Sequence, residues 1–168
     1  TLCDLLKASE KPVPIIFTSS VHVERSNAYG ASKLAAEEIL LSYSQETGAS
    51  VYIFRLPHVM GKWCSPNYNS VIATFCYNIA RDLPIRIDDP NYQLNIVYID
   101  DLVDAFYAIM VDDSDGLGSY REVTPSYLIT VGELAEQIRA LKDSRVSLIS
   151  EPVGVGLTRA LNATYLSY

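Results

Sequence analysis

Two apolar segments on either side of a long helical pattern constrain the fold more than any other feature. Residues 14–20 (PIIFTSS) and 51–56 (VYIFRL) are short strands rich in β-branched and aromatic residues. Between them, a helix capped by Asn27 is predicted to run to about Glu46. Apolar strands without alternation are typical of parallel sheets covered on both faces. The pattern therefore predicts a right-handed βαβ unit.

Helical and strand patterns alternate along most of the chain, which favours the α/β class with a parallel sheet. The predicted elements outside the βαβ unit are the tail of a helix over 1–9, a loop over 57–69, a helix over 70–81, strands over 85–87 and 94–98, a helix over 100–111 and a helix over 131–141 capped by Thr130.

Charge and hydropathy exclude several classes of partner. The formal net charge is −7 and no Lys/Arg cluster is present. Because nucleic acids and anionic membranes bind basic surfaces, neither is an expected partner. No apolar run reaches the ~18 residues of a membrane span, and no signal-peptide pattern is present, so we expect a cytoplasmic protein. Cys3, Cys64 and Cys76 lack the spacing of a zinc site and are interpreted as reduced thiols, and no metal site is predicted.

A hydroxyl cluster and a Tyr-Lys pair are predicted at one edge of the sheet. The first strand ends in Thr18, Ser19 and Ser20, and Tyr29 and Lys33 share a face in the first turns of the next helix. Ligands of open α/β sheets bind beyond the carboxyl ends of the strands. A lysine ammonium and a helix N-terminus favour the phenolate form of a nearby tyrosine. Such a phenol exchanges a proton with a carbonyl or alcohol oxygen, as hydride transfer to or from a nicotinamide requires.

The segments FTSS (17–20) and NAYGASKLAAE (27–37) resemble the extended short-chain dehydrogenase/reductase family, also called the NAD-dependent epimerase/dehydratase family. The resemblance covers about residues 1–142. It implies the C-terminal part of a Rossmann-like, doubly wound parallel sheet together with a small substrate-binding subdomain. The implied organisation is a Rossmann-like core portion over 1–60, a substrate-binding portion over 61–145, and a linker toward a further C-terminal domain over 146–168.

The resemblance also implies roles for individual residues. The implied catalytic residues are Ser20, Tyr29 and Lys33. The implied cofactor-binding residues are Ser19, Tyr29, Lys33, Pro57 and Val59. The implied substrate-binding residues are Ser20, His58, Asn69 and Ser70. For Asn69 and Ser70, capping of the helix that follows is the alternative interpretation.

A narrower resemblance is carried by GKWCSPNYNS (61–70), ARDLPI (80–85) and TYLSY (164–168). These segments are similar to the branch of the family that acts in capsular polysaccharide biosynthesis. That branch implies NADPH-dependent reduction of a 4-keto UDP-N-acetyl-6-deoxy sugar on the route to UDP-N-acetyl-L-fucosamine, with a cupin domain after the reductase domain. NAD is the alternative cofactor. The alternative functions are a sugar-nucleotide 4-epimerase or dehydratase, and a non-catalytic nucleotide-sensing protein.

Two further expectations concern the chain as a whole. The glycine-rich turn of the family, which normally holds the cofactor pyrophosphate, is absent, as are about four strands of its sheet. We therefore expect an exposed sheet edge and an inactive isolated chain. The helix over 27–46 is apolar nearly all round, which predicts a homodimer through this helix.

Overall fold

The computed structural model describes residues 2–8, 12–111, 118–148 and 151–168. In chain order, the elements are α1 (Leu2–Lys7), β1 (Ile15–Ser20), a 3-10 turn (Val21–Glu24), α2 (Ala28–Thr47), β2 (Val51–Leu56), β3 (His58–Met60), α3 (Val71–Ala80), β4 (Gln93–Tyr98), α4 (Ile99–Val111), β5 (Ser119–Arg121), β6 (Ser126–Thr130), α5 (Val131–Ser147) and α6 (Gly156–Tyr165).

The chain divides into two compact units, and each unit is built from two separate segments of sequence. Unit 1 comprises residues 1–57 and 103–124. Unit 2 comprises residues 58–102 and 125–168. The predicted α/β class is confirmed, since each unit combines a three-stranded sheet with helices.

The sheet of unit 1 has the order β1-β2-β5 and all its strands are parallel. Ile15 is the register partner of Val51, and Ser20 is the partner of Leu56. The two strands and α2 between them confirm the predicted βαβ unit. Strand β1 lies at one edge of this sheet, with β2 as its only partner among the described residues.

Strand β2 is covered on both faces, as its unbroken apolar pattern predicts. Its first four residues are at most 2% exposed. Val51 and Ile53 belong to a cluster with Tyr43 of α2. Phe54 contacts Phe106 of α4, with ring centroids 4.9 Å apart. The buried apolar area is the main stabilising contribution to this unit.

The bounds of α2 follow from its caps. The Asn27 side chain accepts a hydrogen bond from the Gly30 N–H at 2.8 Å, which satisfies one of the unpaired N–H groups of the first turn. At the other end, Gly48 adopts a φ of 72°, a left-handed conformation that glycine tolerates. The predicted helix from Asn27 to about Glu46 is confirmed within one residue.

Unit 2 has its own sheet, in the order β3-β4-β6, with β3 parallel and β6 antiparallel to β4. Helices α3, α5 and α6 contribute to a single apolar cluster with this sheet, and its fully buried members include Ile96, Leu134, Ile138 and Leu161. Thr130 and Glu133 form a capping box at the start of α5, as the predicted cap requires.

Three predictions about secondary structure are wrong. The predicted loop over 57–69 contains β3, which at three residues is too short to show alternation. The predicted strand over 85–87 does not form; Ile85 and Ile87 instead pack against the core of unit 2. The helix predicted over 131–141 is too short, since α5 continues six residues further. Helix α6, for which no element was predicted, follows it and has Ala160 and Leu161 as its fully buried apolar residues.

Within the described ranges, no helix has the length and apolar character needed to cross a membrane.

Helix α2 is apolar nearly all round in sequence, but it is buried on one side only. The side of the helix that carries Glu37, Leu40 and Tyr43 is buried, whereas Leu34 and Ile39 are exposed.

The core of unit 2 supports a stability prediction. Ile138→Ala should lower the free energy of unfolding by about 2–5 kcal/mol, because the fully buried side chain leaves a cavity. Val146→Ala, on the same helix and 87% exposed, is the matched control and should change it by less than about 0.5 kcal/mol. Urea unfolding measures both. Equal effects of the two substitutions would contradict this assignment of the core.

Candidate functional site

The carboxyl end of β1 carries two buried serines whose side chains have different partners. The Ser20 hydroxyl oxygen accepts a hydrogen bond from the backbone N–H of His22 at 3.2 Å and so caps the 3-10 turn. The Ser19 hydroxyl donates to the carboxylate of Glu37 on α2. Successive side chains of a strand point to opposite faces of the sheet. Ser19 is therefore anchored on the α2 side, and Ser20 projects to the other side.

Gly30 allows the start of α2 to approach the 3-10 turn closely. A Cβ at this position would lie 2.5 Å from the carbonyl oxygen of Arg25 and 2.7 Å from that of His22. Backbone atoms cannot move aside as a flexible side chain does, so only glycine fits here. This contact sets Tyr29, the preceding residue, beside the turn that follows Ser20.

Lys33 joins the first turns of α2 to the end of β1. Its Nζ donates to the carbonyl oxygen of Thr18 at 2.9 Å and lies 5.2 Å from the ring centroid of Phe17. The same Nζ is 5.9 Å from the ring centroid of Tyr29. Tyr29 is 54% exposed, so its ring is accessible to a ligand. The structure thus brings Tyr29 and Lys33 to the strand end that carries Ser20.

Sequence reasoning assigned no role to Glu37, which is the fully buried centre of a hydrogen-bond network. Besides the Ser19 hydroxyl, the carboxylate accepts from Nε of Arg55 at 3.1 Å and from Nη2 of Arg55 at 2.7 Å. The Tyr120 hydroxyl donates to it at 3.0 Å. These donors belong to β1, β2 and β5, so all three strands of the unit 1 sheet contact one carboxylate.

Opposing effects act on the ionisation of this network. Burial by itself raises the pKa of Glu37, but hydrogen bonds from Arg55, Ser19 and Tyr120 outweigh it and hold the pKa below its usual value. The hydrogen bond to Glu37 raises the pKa of Arg55. Burial and the hydrogen bond to the same carboxylate raise the pKa of Tyr120. Glu37 is therefore a carboxylate and Tyr120 a neutral phenol at neutral pH.

Two sequence signals point to Glu37 in retrospect. Glu37 follows Lys33 by four residues and Tyr29 by eight, so the three share one face of a helix. Arg55 is the lone charge in a strand that is otherwise apolar, and a charge in such a strand needs a partner.

The other predicted cofactor and substrate contacts lie elsewhere in the chain. Pro57 directly follows β2 and is the last residue of the first segment of unit 1. His58 and Val59 are in β3 of unit 2. Asn69 has a φ of 54°, and Ser70 caps α3 by accepting from the Ala73 N–H at 3.2 Å, as the capping alternative predicts.

The adjacent carboxylates at the start of α4 are held in ion pairs within unit 2. Asp101 pairs with Arg159 of α6 at 3.0 Å, and Asp100 lies 3.7 Å from Nζ of Lys62. Burial, together with the nearby Asp100 carboxylate, raises the pKa of Tyr98 to about 12. Among the residues that the structure describes, no group of three or more His, Cys, Asp or Glu is arranged to hold a metal ion.

The model of the NAD dependent epimerase/dehydratase family matches residues 8–120. UDP-2-acetamido-2,6-beta-L-arabino-hexul-4-ose reductase of Pseudomonas aeruginosa (strain PA103) is 48% identical over 167 residues, which are 99% of this chain and 45% of that protein. The chain thus spans about half the length of this relative.

Solved structures show the same fold. The capsular polysaccharide assembling protein CapF from Staphylococcus aureus matches with a TM-score of 0.90 and 37% identity, over 99% of this chain and 46% of that one. WbmF from Bordetella bronchiseptica in complex with NAD+ matches with a TM-score of 0.77 over 99% of this chain and 62% of that one. At 15% identity, the second match shows the fold alone. These likenesses confirm the predicted Rossmann-like α/β class.

The lowered pKa of Glu37 predicts a pH-dependent stability. Since the unfolded chain binds the proton more tightly, the carboxylate stabilises the fold fully above the unfolded pKa of roughly 4.3 and loses this effect as the pH falls through the folded pKa. Glu37→Gln should lower the free energy of unfolding by about 1.5–3 kcal/mol at pH 7. This difference should shrink below about pH 4.

Urea unfolding at a series of pH values measures the difference. Glu38→Gln makes the same chemical change at the next residue, which is exposed, and serves as the control. A gap between the wild type and Glu37→Gln that stays constant down to about pH 3 would show that the Glu37 carboxylate is not the titrating group.

Proposed function

Because this chain belongs to the NAD dependent epimerase/dehydratase family, we propose that the complete protein is a cytoplasmic, nicotinamide-dependent sugar-nucleotide reductase. Its proposed substrate is a 4-keto UDP-N-acetyl-6-deoxy sugar in capsular or surface polysaccharide biosynthesis. The observation that carries the proposal is the placement of Tyr29 and Lys33 on one helix face at the strand end that carries Ser20. The 48% identity to the Pseudomonas reductase supports the substrate class.

The residues at this strand end fit a nicotinamide cofactor with its ribose. Lys33 carries three N–H donors and uses one on the Thr18 carbonyl, which leaves donors for ribose hydroxyls. When bound, a reduced nicotinamide supplies the hydride that adds to the carbonyl carbon of the sugar. We propose NADPH as the cofactor with NADH as the alternative; the family name and the NAD+ complex of WbmF support a nicotinamide.

In the proposed mechanism, Tyr29 donates the proton of its hydroxyl to the carbonyl oxygen as the C=O π bond breaks. Together with the hydride that a bound reduced nicotinamide would supply to the carbonyl carbon, this proton converts the carbonyl to an alcohol. The Lys33 ammonium stabilises the phenolate that forms. The Ser20 hydroxyl hydrogen is free to bond the same carbonyl oxygen, since Ser20 accepts rather than donates in its bond to His22.

Other contacts complete the proposal. Ser19, Pro57 and Val59 are proposed to contact the cofactor, and His58, Asn69 and Ser70 the sugar nucleotide. We further propose a Rossmann-like portion over 1–60, a substrate-binding portion over 61–145, and a segment over 146–168 that leads into a further domain. Because the glycine-rich turn that normally holds the cofactor pyrophosphate is not in this sequence, we propose that most cofactor contacts come from other parts of the complete protein. The isolated chain should therefore be inactive.

Tyr29→Phe tests the proposed proton donor. In the complete protein, kcat for reduction of the keto sugar should fall by about 10²–10⁴-fold, because no group replaces the phenolic proton. Oxidation of NADPH, followed by absorbance, measures the rate. Tyr107→Phe removes the hydroxyl of another exposed tyrosine and should leave kcat unchanged. Turnover by Tyr29→Phe within a few fold of the wild type would refute the assignment.

A homodimer through α2 is proposed for the same protein. Leu34 and Ile39 of α2 are exposed, as are Leu2 and Leu5 of the neighbouring helix α1. Large exposed apolar side chains on two adjoining helices are typical of a protein–protein interface. A second copy of the chain would bury these side chains against its own α2.

Ile39→Glu tests the dimer. The side chain is 50% exposed in the single chain, so the fold should tolerate a carboxylate there, whereas a dimer interface should not. Analytical ultracentrifugation of the complete protein should show a dimer for the wild type and a monomer for Ile39→Glu. Val146→Glu, on α5, should remain dimeric. A monomeric wild type would overturn the proposal.

A further inference from the structure

We propose that Glu37 is a positioning residue for the reaction centre: its buried carboxylate fixes the strand end that carries Ser20 against the helix face that carries Tyr29 and Lys33. Glu37 does not contact the reacting atoms in this proposal. The inference rests on the proposed function and adds to it a residue that acts through its neighbours.

The contacts of Glu37 define what it holds in place. The carboxylate accepts from the Ser19 hydroxyl, from Nε and Nη2 of Arg55, and from the Tyr120 hydroxyl. Ser19 and Arg55 are register partners on neighbouring strands. Arg55 also stacks on the Tyr120 ring, with its Cζ 4.7 Å from the ring centroid. One side chain of α2 is thereby bonded to β1, β2 and β5.

The route from Glu37 to Ser20 is one peptide unit long. Because Ser19 and Ser20 are adjacent in an extended strand, holding the Ser19 side chain on one face fixes the direction of Ser20 on the other. Ser20 in turn starts the 3-10 turn against which Gly30 packs. A shift of Ser19 would therefore move Ser20 relative to the start of α2.

Lys33 and Glu37 form hydrogen bonds with two successive residues of β1. Lys33 donates to the carbonyl oxygen of Thr18, and Glu37 accepts from Ser19 one helical turn further along. Tyr29 lies one turn before Lys33 on the same face. The face of α2 that presents the phenol is thus bonded to β1 at two consecutive residues, which limits sliding of the helix along the strand.

A glutamine at this position keeps the volume but not the bonding. The carboxylate has only acceptors, and all its partners in the structure are donors. A glutamine amide has one acceptor oxygen and an NH2 group; the NH2 can donate to a hydroxyl oxygen but cannot accept from Nε and Nη2 of Arg55, and the negative charge beside the guanidinium is lost. Displacements of about 1 Å at a reaction centre cost up to about 10²-fold in rate.

The experiment compares wild type, Glu37→Gln and Glu38→Gln in the complete protein. The rate is measured with NADPH and UDP-2-acetamido-2,6-β-L-arabino-hexul-4-ose, and active sites are counted by fluorescence titration with NADPH. Glu37→Gln should lower kcat per NADPH site by about 10- to 100-fold with KM within about threefold of the wild type. Glu38→Gln, at the next and exposed residue, should match the wild type.

A second measurement does not depend on turnover. Hydrogen exchange followed by mass spectrometry should show amides of residues 18–22 exchanging at least about tenfold faster in Glu37→Gln, with α5 unchanged. If the wild type does not reduce the keto sugar, the proposed function fails, and the exchange result alone decides the role of Glu37. Unchanged exchange over 18–22, or kcat within twofold of the wild type, overturns the proposal.

Tyr120→Phe serves if Glu37→Gln does not fold. It removes a single donor from the carboxylate at a half-exposed side chain, so the fold should survive. We expect kcat to fall about threefold to tenfold with the number of NADPH sites unchanged. Full activity of Tyr120→Phe, or a loss of rate in proportion to lost NADPH sites, would also overturn the positioning role.

Discussion

Parallel hydrogen bonding between β1 and β2 is the constraint on which the rest of unit 1 depends. Because Ser20 is opposite Leu56, both strands end at the same edge of the sheet. Parallel strands need a crossover, and α2 must begin at the edge where β1 ends to return to the start of β2. The first turns of α2, which carry Tyr29 and Lys33, are therefore at the carboxyl edge as a consequence of topology.

A buried ion pair within this sheet has a cost that apolar packing does not have. Removing the Glu37 carboxylate from water is unfavourable, and only its close donors offset that cost. Arg55 remains about one-third exposed, so the pair keeps some contact with water on one side. Replacing Glu37 and Arg55 by apolar side chains of equal volume would therefore leave the folded state at least as stable. The network is better explained by what it orients than by what it stabilises.

The sequence predicts the elements that have a clear period or cap. The βαβ unit, α2 with its Asn27 cap and α5 with its Thr130 cap all follow from local patterns. The grouping of Tyr29 and Lys33 at a strand end follows from helical spacing and topology. Strand β3 does not, because three residues are too few to show alternation, and helix α6 has no capping side chain to mark its start, since Val155 at its N-cap makes no side-chain hydrogen bond. For Glu37, helical spacing and the lone charge of Arg55 are the available signals, but the full set of partners does not follow from them, since the donors come from three strands that are distant in sequence.

The discontinuous make-up of the units affects how the chain is synthesised. Unit 1 needs residues 103–124, and its sheet gains β5 only when residues 119–121 are available. A chain leaving the ribosome must hold β1 and β2 without that third strand while the first segment of unit 2 emerges. During this interval the Glu37 carboxylate lacks the Tyr120 hydroxyl, and the edge of β2 has no neighbour. Nascent chains of this protein therefore present the open edge of β2 to chaperones until translation reaches β5.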